Sequence, residues 1–170
     1  MAKRSFQAAT FTPTATADNS ALANATYMAL EAGSTTQILE VLEIYVGGQA
    51  PSTSSPCILQ FARSLAFGVT PTALAAPNGD GQMDGVSAAP ATTPLAYTAA
   101  GTGPTRTNTA TTARLNLSMN AFGGAVKYQA NRGEGMRIVG TAVSVSGCTL
   151  SAFTGGTPGL VGAHIQYEPY

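Results

Sequence analysis

The apolar residues of this chain come in short runs that alternate with polar ones and stop at glycine, serine or proline. A period of two sends successive side chains to opposite faces of an extended strand, so this pattern constrains the fold more than any other feature. Residues 114–120 (RLNLSMN) are the cleanest case. Leu115, Leu117 and Met119 face one way, Asn116 and Ser118 the other. Residues 125–130 (AVKYQA) repeat the pattern with Lys127 and Gln129 on the polar side. Residues 57–63 (CILQFAR) put Cys57, Leu59 and Phe61 on one face and Gln60 on the other. Residues 26–31 end before a Gly33-Ser34 turn, and 136–139, 141–145 and 148–153 are short strands cut apart by Gly140 and Ser146-Gly147. Residues 162–168 close the series, and 5–12 alternate weakly, as an N-terminal arm or edge strand would.

Residues 37–46 (QILEVLEIYV) read as a strand from their β-branched and aromatic content and the Gly47-Gly48 stop, although Ile38, Leu42 and Tyr45 also fit a 3.6 period. Glu40 and Glu43 fall on opposite parities, which predicts a bulge between them or a change of strand partner. With no convincing amphipathic helix, the expectation is an all-β antiparallel sandwich or barrel of about eight strands. One segment breaks the rhythm. Residues 68–113 are rich in Ala, Thr, Pro, Gly and Ser, with Asp80, Asp84 and Arg106 as their charges. Five prolines there (Pro71, Pro77, Pro90, Pro94, Pro104) favour stiff, extended backbone. It reads as a long loop lying along another subunit, or as a surface loop, with Leu95 and Tyr97 pinning an extra strand. The organisation expected is an N-terminal arm over 1–24 and one β-sandwich domain over 25–170.

Charge narrows the function. Only 9% of the 170 residues are charged, and eight acids balance eight bases. A typical soluble domain is about 25% charged. Such a surface, made of Thr, Ser, Asn, Gln, Gly and Ala, suits a protein packed against neighbours; a neutral secreted domain is the equal alternative. From residue 18 to 84 there are six acids and one base, Arg63; from 106 to 137 there are five bases and one acid, Glu134. That asymmetry predicts head-to-tail contact between copies. Bases this dispersed, without an interleaved aromatic platform, argue against nucleic acid. No apolar run reaches the length of a membrane helix, about 18 residues. Lys3 and Arg4 lead into Ser5, Phe6 and Gln7 rather than an apolar core, so no signal peptide is expected. The sequons at Asn24 and Asn116 are then unused, and Cys57 and Cys148 are reduced, buried residues rather than a disulfide.

No motif declares chemistry. Residues 78–84 (NGDGQMD) imitate a calcium loop, but the turn glycine is replaced by Met83 and the bidentate glutamate by Ala89, leaving an Asx-rich turn. His164, the one histidine, has Ala163 and Ile165 beside it and reads as structural or interfacial. The pairs Gly47-Gly48, Gly123-Gly124 and Gly155-Gly156 lack phosphate-loop spacing and mark turns. Among Glu31, Glu40, Glu43, Glu134, Glu168 and the three aspartates, no pair stands out for glycoside hydrolysis. No cofactor is expected. Residues 131–135 (NRGEG) form a turn with both charge signs, either solvated or at the rim of a contact.

Three stretches carry a likeness to a family: residues 42–48 (LEIYVGG), 115–124 (LNLSMNAFGG) and 150–160 (LSAFTGGTPGL). With the strand-only pattern and sparse charge, they resemble jelly-roll capsid decoration (cement) proteins of tailed bacteriophages. The resemblance implies a jelly-roll-like fold and a homotrimer on the outside of the virion head, assembled in the host cytoplasm. It also implies an arm reaching onto the major capsid protein. The candidate contact residues are Lys3, Arg4, Phe6 and Phe11 in the arm, Arg106 in the loop, and Arg132 and Glu134 in the charged turn. The long loop departs from the pattern. The alternatives are another virion component (coat, tail or fibre) or a carbohydrate-binding β-sandwich. The latter wants exposed Trp or Tyr platforms, whereas Trp is absent and Tyr128, Tyr167 and Tyr170 do not share a loop.

Overall fold

The computed structural model describes residues 6–10, 26–48, 56–64, 67, 72–74, 80–82, 92–96, 113–120, 122–139, 147–153 and 161–170. Within them the chain forms β1 (Phe6–Thr10), β2 (Thr26–Glu31), β3 (Ile38–Gly48), β4 (Pro56–Ser64), β5 (Thr72–Ala73) and β6 (Asp80–Gln82). The series continues with β7 (Thr93–Ala96), β8 (Ala113–Asn120), β9 (Ala125–Gln129), β10 (Met136–Val139), β11 (Gly147–Phe153) and β12 (Val161–Pro169). The protein is all-β, and its strands make two antiparallel six-stranded sheets. The first runs β10-β3-β12-β1-β6, with β9 also paired to β3; the second runs β5-β7-β2-β11-β4-β8.

The alternation seen in the sequence is the alternation of burial. In β8, Leu117 and Met119 are buried while Asn116 and Ser118 are exposed. In β9, Val126 and Tyr128 pack against the core while Lys127 and Gln129 face out. One apolar core lies between the sheets. It joins Leu39, Val41, Ile44, Val46, Ile165 and Tyr167 of the first to Met28, Leu30, Leu59, Phe61 and Leu150 of the second. Each such side chain contributes about 1.5–3 kcal/mol on burial. Cys148 is in this core, fully buried and unbridged, and burial pushes its thiol up to about 12. The reduced, buried reading therefore holds for Cys148.

The two devices predicted between Glu40 and Glu43 both occur. Gln166 of β12 lies opposite Glu43, but Tyr167 lies opposite Val41, so Leu42 is the extra residue of a bulge. At the same point β3 changes partner, from β10 over residues 38–41 to β9 over 43–47. The bulge resets the phase of the strand. Leu39 and Val41 then face the core alongside Ile44 and Val46, and both glutamates share the outer face.

Two expectations need correction. Over Phe6–Ala8 the chain is an inner strand rather than an edge. β1 sits between β12 and β6, and Phe6 stacks on Tyr167 with ring centroids 5.9 Å apart. Its alternation looked weak because Ala8 supplies little apolar bulk where the core needs only a small residue. The segment 68–113 also pairs with its own domain wherever it is described. β5 adds to β7, β7 adds to β2 and β6 adds to β1. Leu95 is buried as the predicted extra strand requires; Tyr97 lies outside the described residues, as does the strand expected at 141–145.

The faces of the sheets differ. Outside the second sheet, Ala29, Ala62, Thr149 and Ser151 are all buried, and Phe67 packs on Ala29 and Leu95. The outer face of the first sheet is more open, with Tyr45, Lys127 and Gln129 exposed on it. Close packing in the second sheet shows at Gly147, where an added β-carbon would lie 1.8 Å from the Leu30 carbonyl oxygen. Gly147→Ala must therefore displace β2 from β11. The expected loss is about 1–3 kcal/mol or more, read as a lower denaturation midpoint; an unchanged midpoint would contradict the packing described.

Candidate functional site

The outer face of the first sheet is built of cross-strand rows. Lys127, Tyr45, His164 and Ala9 lie opposite one another on β9, β3, β12 and β1. One row along stand Gln129, Glu43, Gln166 and Gln7. Beyond the bulge, Arg137, Glu40 and Glu168 form a third row. With Arg132 and Glu134 of the adjoining turn, this region gathers most of the charged residues described; Glu31, Arg63, Asp80 and Arg114 are the others.

The third row holds a buried carboxylate pair. Glu40 and Glu168 are only 0% and 1% exposed. Burying a carboxylate costs several kcal/mol unless donors replace water. Here each oxygen is engaged. The Gly135 amide donates to Glu40 Oε1 at 2.9 Å, and the Tyr170 hydroxyl donates to Glu40 Oε2. Tyr170 also reaches Glu168 Oε2 at 3.1 Å, while Arg132 Nε lies 2.7 Å from Glu168 Oε1. Burial alone would raise the Glu40 pKa. The Tyr170 hydroxyl, the Gly135 and Gly133 amides and the Arg137 charge outweigh it and hold Glu40 below its ordinary value. Tyr170 is driven well above the ordinary tyrosine range, first by burial of its hydroxyl and then by the two carboxylates.

Local sequence explains the cage. The turn closes on itself through the Glu134 amide donating to the Asn131 carbonyl and Asn131 Nδ2 donating to Glu134 Oε2, both at 3.0 Å. At Gly135 an added β-carbon would lie 2.5 Å from the Val41 carbonyl oxygen and 2.8 Å from Glu40 Cγ, so only glycine brings its amide to that carboxylate. Tyr170 is fixed by backbone bonds to Ile38 in both directions, at 2.8 and 3.2 Å. Chemically the arrangement is a clamp. It fastens the end of β12 and the 131–135 turn to β3, and neither carboxylate is presented to solvent.

The expected site residues fare differently. Arg132 is placed on Glu168, and Glu134 is exposed and bound by Asn131. Phe6, expected to be a contact residue, is 2% exposed and belongs to the core. Lys3, Arg4, Phe11 and Arg106 lie outside the described residues, as do Asn24 and most of the calcium-like segment. Asp80–Gln82 of that segment is β6. Asn116 is exposed and accepts a bond from Gln60 Nε2 at 3.2 Å. His164 is half-buried in the Tyr45 row. Among the described residues no group of three or more His, Cys, Asp or Glu is placed to hold a metal ion.

The charge asymmetry along the sequence is met in part within the chain itself. Lys127 pairs with Glu43 at 2.9 Å, Arg137 acts on Glu40, and Arg132 meets Glu168. The basic stretch folds onto the acidic one within the same chain, because β9 and β10 are the sheet neighbours of β3. The carboxylate pair itself went unread in the sequence. The parity conflict of Glu40 pointed to the bulge, but the opposition of Glu168 depends on a pairing between residues far apart in the chain.

The clamp predicts a pH profile. Glu40 has a depressed folded-state value, so its contribution is present above about pH 4.3 and lost as pH falls through that lower value. Tyr170 has a raised value, so its contribution is present below about pH 10 and lost as pH rises through the folded value. In Tyr170→Phe the acid loss should shrink, because the folded-state value of Glu40 moves back up toward or past the unfolded one, and the alkaline loss should shrink because the Tyr170 part of it is gone. Chemical denaturation across pH reads both, and superimposable profiles for the two proteins would refute the assignment.

The chain matches no family model, no curated protein and no solved structure.

Proposed function

We propose that this protein is a virion structural component of a tailed bacteriophage, a decoration protein that binds the outside of the head and bridges neighbouring major capsid protein subunits. The observation that carries this reading is the economy of charge. The exterior is mostly uncharged, and the charges of the first sheet are spent on one another. A surface with so little field of its own suits burial by other protein rather than free diffusion.

Two further features support it. Val139 lies opposite Ile38, and Tyr170 bonds to the same residue, so an apolar row with Val139 50% and Tyr170 48% exposed runs across one end of the first sheet. Phe122 is exposed at the turn between β8 and β9. The strand order also fits. We count β9 and β10 as one interrupted strand and set aside the short β5, β6 and β7. Eight strands then remain, the first, eighth, third and sixth in one sheet and the second, seventh, fourth and fifth in the other. An order of this kind supports a jelly-roll reading, an architecture common among capsid proteins.

In this reading the protein is a homotrimer, performs no catalysis and takes no cofactor. It works by mass action. Binding only the assembled lattice stabilises it by about 2.7 kcal/mol at a concentration 100-fold above Kd, and three linked copies strengthen each further contact. Heads carrying the protein should break at a higher temperature than heads lacking it, and Val139→Asp should reduce occupancy on the particle. Equal disruption temperatures with full occupancy, or no retention on heads at all, would overturn the proposal.

A further inference from the structure

The rows beside the clamp have a different character. Tyr45 is 45% exposed in the middle of the first sheet's outer face. Its ring leans over Gly47, where a β-carbon would lie 3.9 Å from Tyr45 Cε1, an ordinary van der Waals distance. Gly47 is flanked in register by Ala125 of β9 and Gly162 of β12. The floor next to the ring is therefore nearly bare backbone, which leaves the ring open to approach. His164 stands directly opposite Tyr45, and Gln166, Gln7 and Gln129 lie one row further along, on the side away from Gly47. Their side chains are partly or fully exposed and make no hydrogen bond among the described residues.

This chemistry selects a kind of ligand. The one acid and the one base of these two rows, Glu43 and Lys127, neutralise each other at 2.9 Å, so the face offers no net charge to a nucleic acid or an anionic membrane. Its two rows contain no aliphatic side chain larger than that of Ala9, whereas the centre of a stable protein interface is apolar. What remains is an aromatic plane beside three glutamine amides and an imidazole, groups able to make hydrogen bonds. A pyranose ring has the matching halves, an apolar C–H face for the aromatic and equatorial hydroxyls for amides and imidazole.

We propose that the outer face of the first sheet, centred on Tyr45, binds a neutral polysaccharide. Tyr45 stacks on a sugar ring. Gln166 and His164 bond the hydroxyls of that ring, and Gln7 and Gln129 reach the flanking units on either side. The site is independent of the clamp and of the apolar row at the Val139 end, so it can serve a protein already attached elsewhere.

The test is a titration of the full chain with neutral hexasaccharides of β-1,4-glucose, α-1,4-glucose, β-1,4-N-acetylglucosamine and β-1,4-mannose, followed by calorimetry and by amide shifts. At least one should bind saturably with Kd of about 1 mM or tighter, with shifts centred on Gly47, Gly162 and His164. Tyr45→Ala should weaken it at least about tenfold, Tyr45→Phe should stay within about threefold, and Phe122→Ala should change nothing. No saturable binding to any of the four overturns the proposal. So does binding confined to sulfated or uronic oligosaccharides, or a loss of oligomeric state in Tyr45→Ala that shows the face buried between copies. Heat disruption of heads tests the capsid reading separately, so either can fail alone.

Discussion

A single inserted residue, Leu42, governs the first sheet. β3 is its most heavily paired strand, meeting β12 along one side and β9 then β10 along the other. Without the bulge, a strand that buries Ile44 and Val46 would turn Leu39 and Val41 to solvent and drive Glu40 into the core. With it, both apolar pairs stay inside and both acids stay outside. The same discontinuity separates β9 from β10 and leaves room for the turn that carries Arg132 and Gly135 to the carboxylates. The clamp is thus a by-product of how one strand keeps its phase.

The balance of charge follows from this arrangement. In sequence the acids precede the bases, an order that invites a model of attraction between molecules. In space β3 carries Glu40 and Glu43 while its neighbours carry Lys127 and Arg137, so the attraction is internal. Exposed pairs such as Lys127 with Glu43 contribute about 0–1 kcal/mol. The buried pair is another matter. Removing a donor such as the Tyr170 hydroxyl or Arg132 costs more, because a desolvated carboxylate is left behind.

Local periodicity was legible and long-range pairing was not. The strands at 114–120 and 125–130 could be drawn nearly to the residue, because one side of each packs on the core and the other does not; 26–31 is marked by the Gly33-Ser34 turn instead. The Glu40–Glu43 conflict exposed the bulge before any geometry was known, since parity is a local property. By contrast, β1 was misjudged because Ala8 and Ala9 blur its contrast, and the short strands β5 and β6 have too few residues to show a period. The meeting of Glu40 with Glu168 rests on register between residues distant in the chain, which spacing cannot encode. Tyr45 was read only as part of a strand; its prominence comes from Gly47 two residues on and from Gly162, which lies across from that glycine.

Covering one sheet while leaving the other bare gives the molecule a front and a back. Ala29, Ala62, Thr149 and Ser151 are sealed beneath the chain's own residues, whereas Tyr45, Lys127 and Gln129 stand uncovered. Evolutionary change should be unequal on the two sides. Behind, even a methyl group has nowhere to go, and drift is confined to small residues. In front, away from the clamp, side chains can be exchanged with little disturbance to the scaffold, so variation should accumulate there.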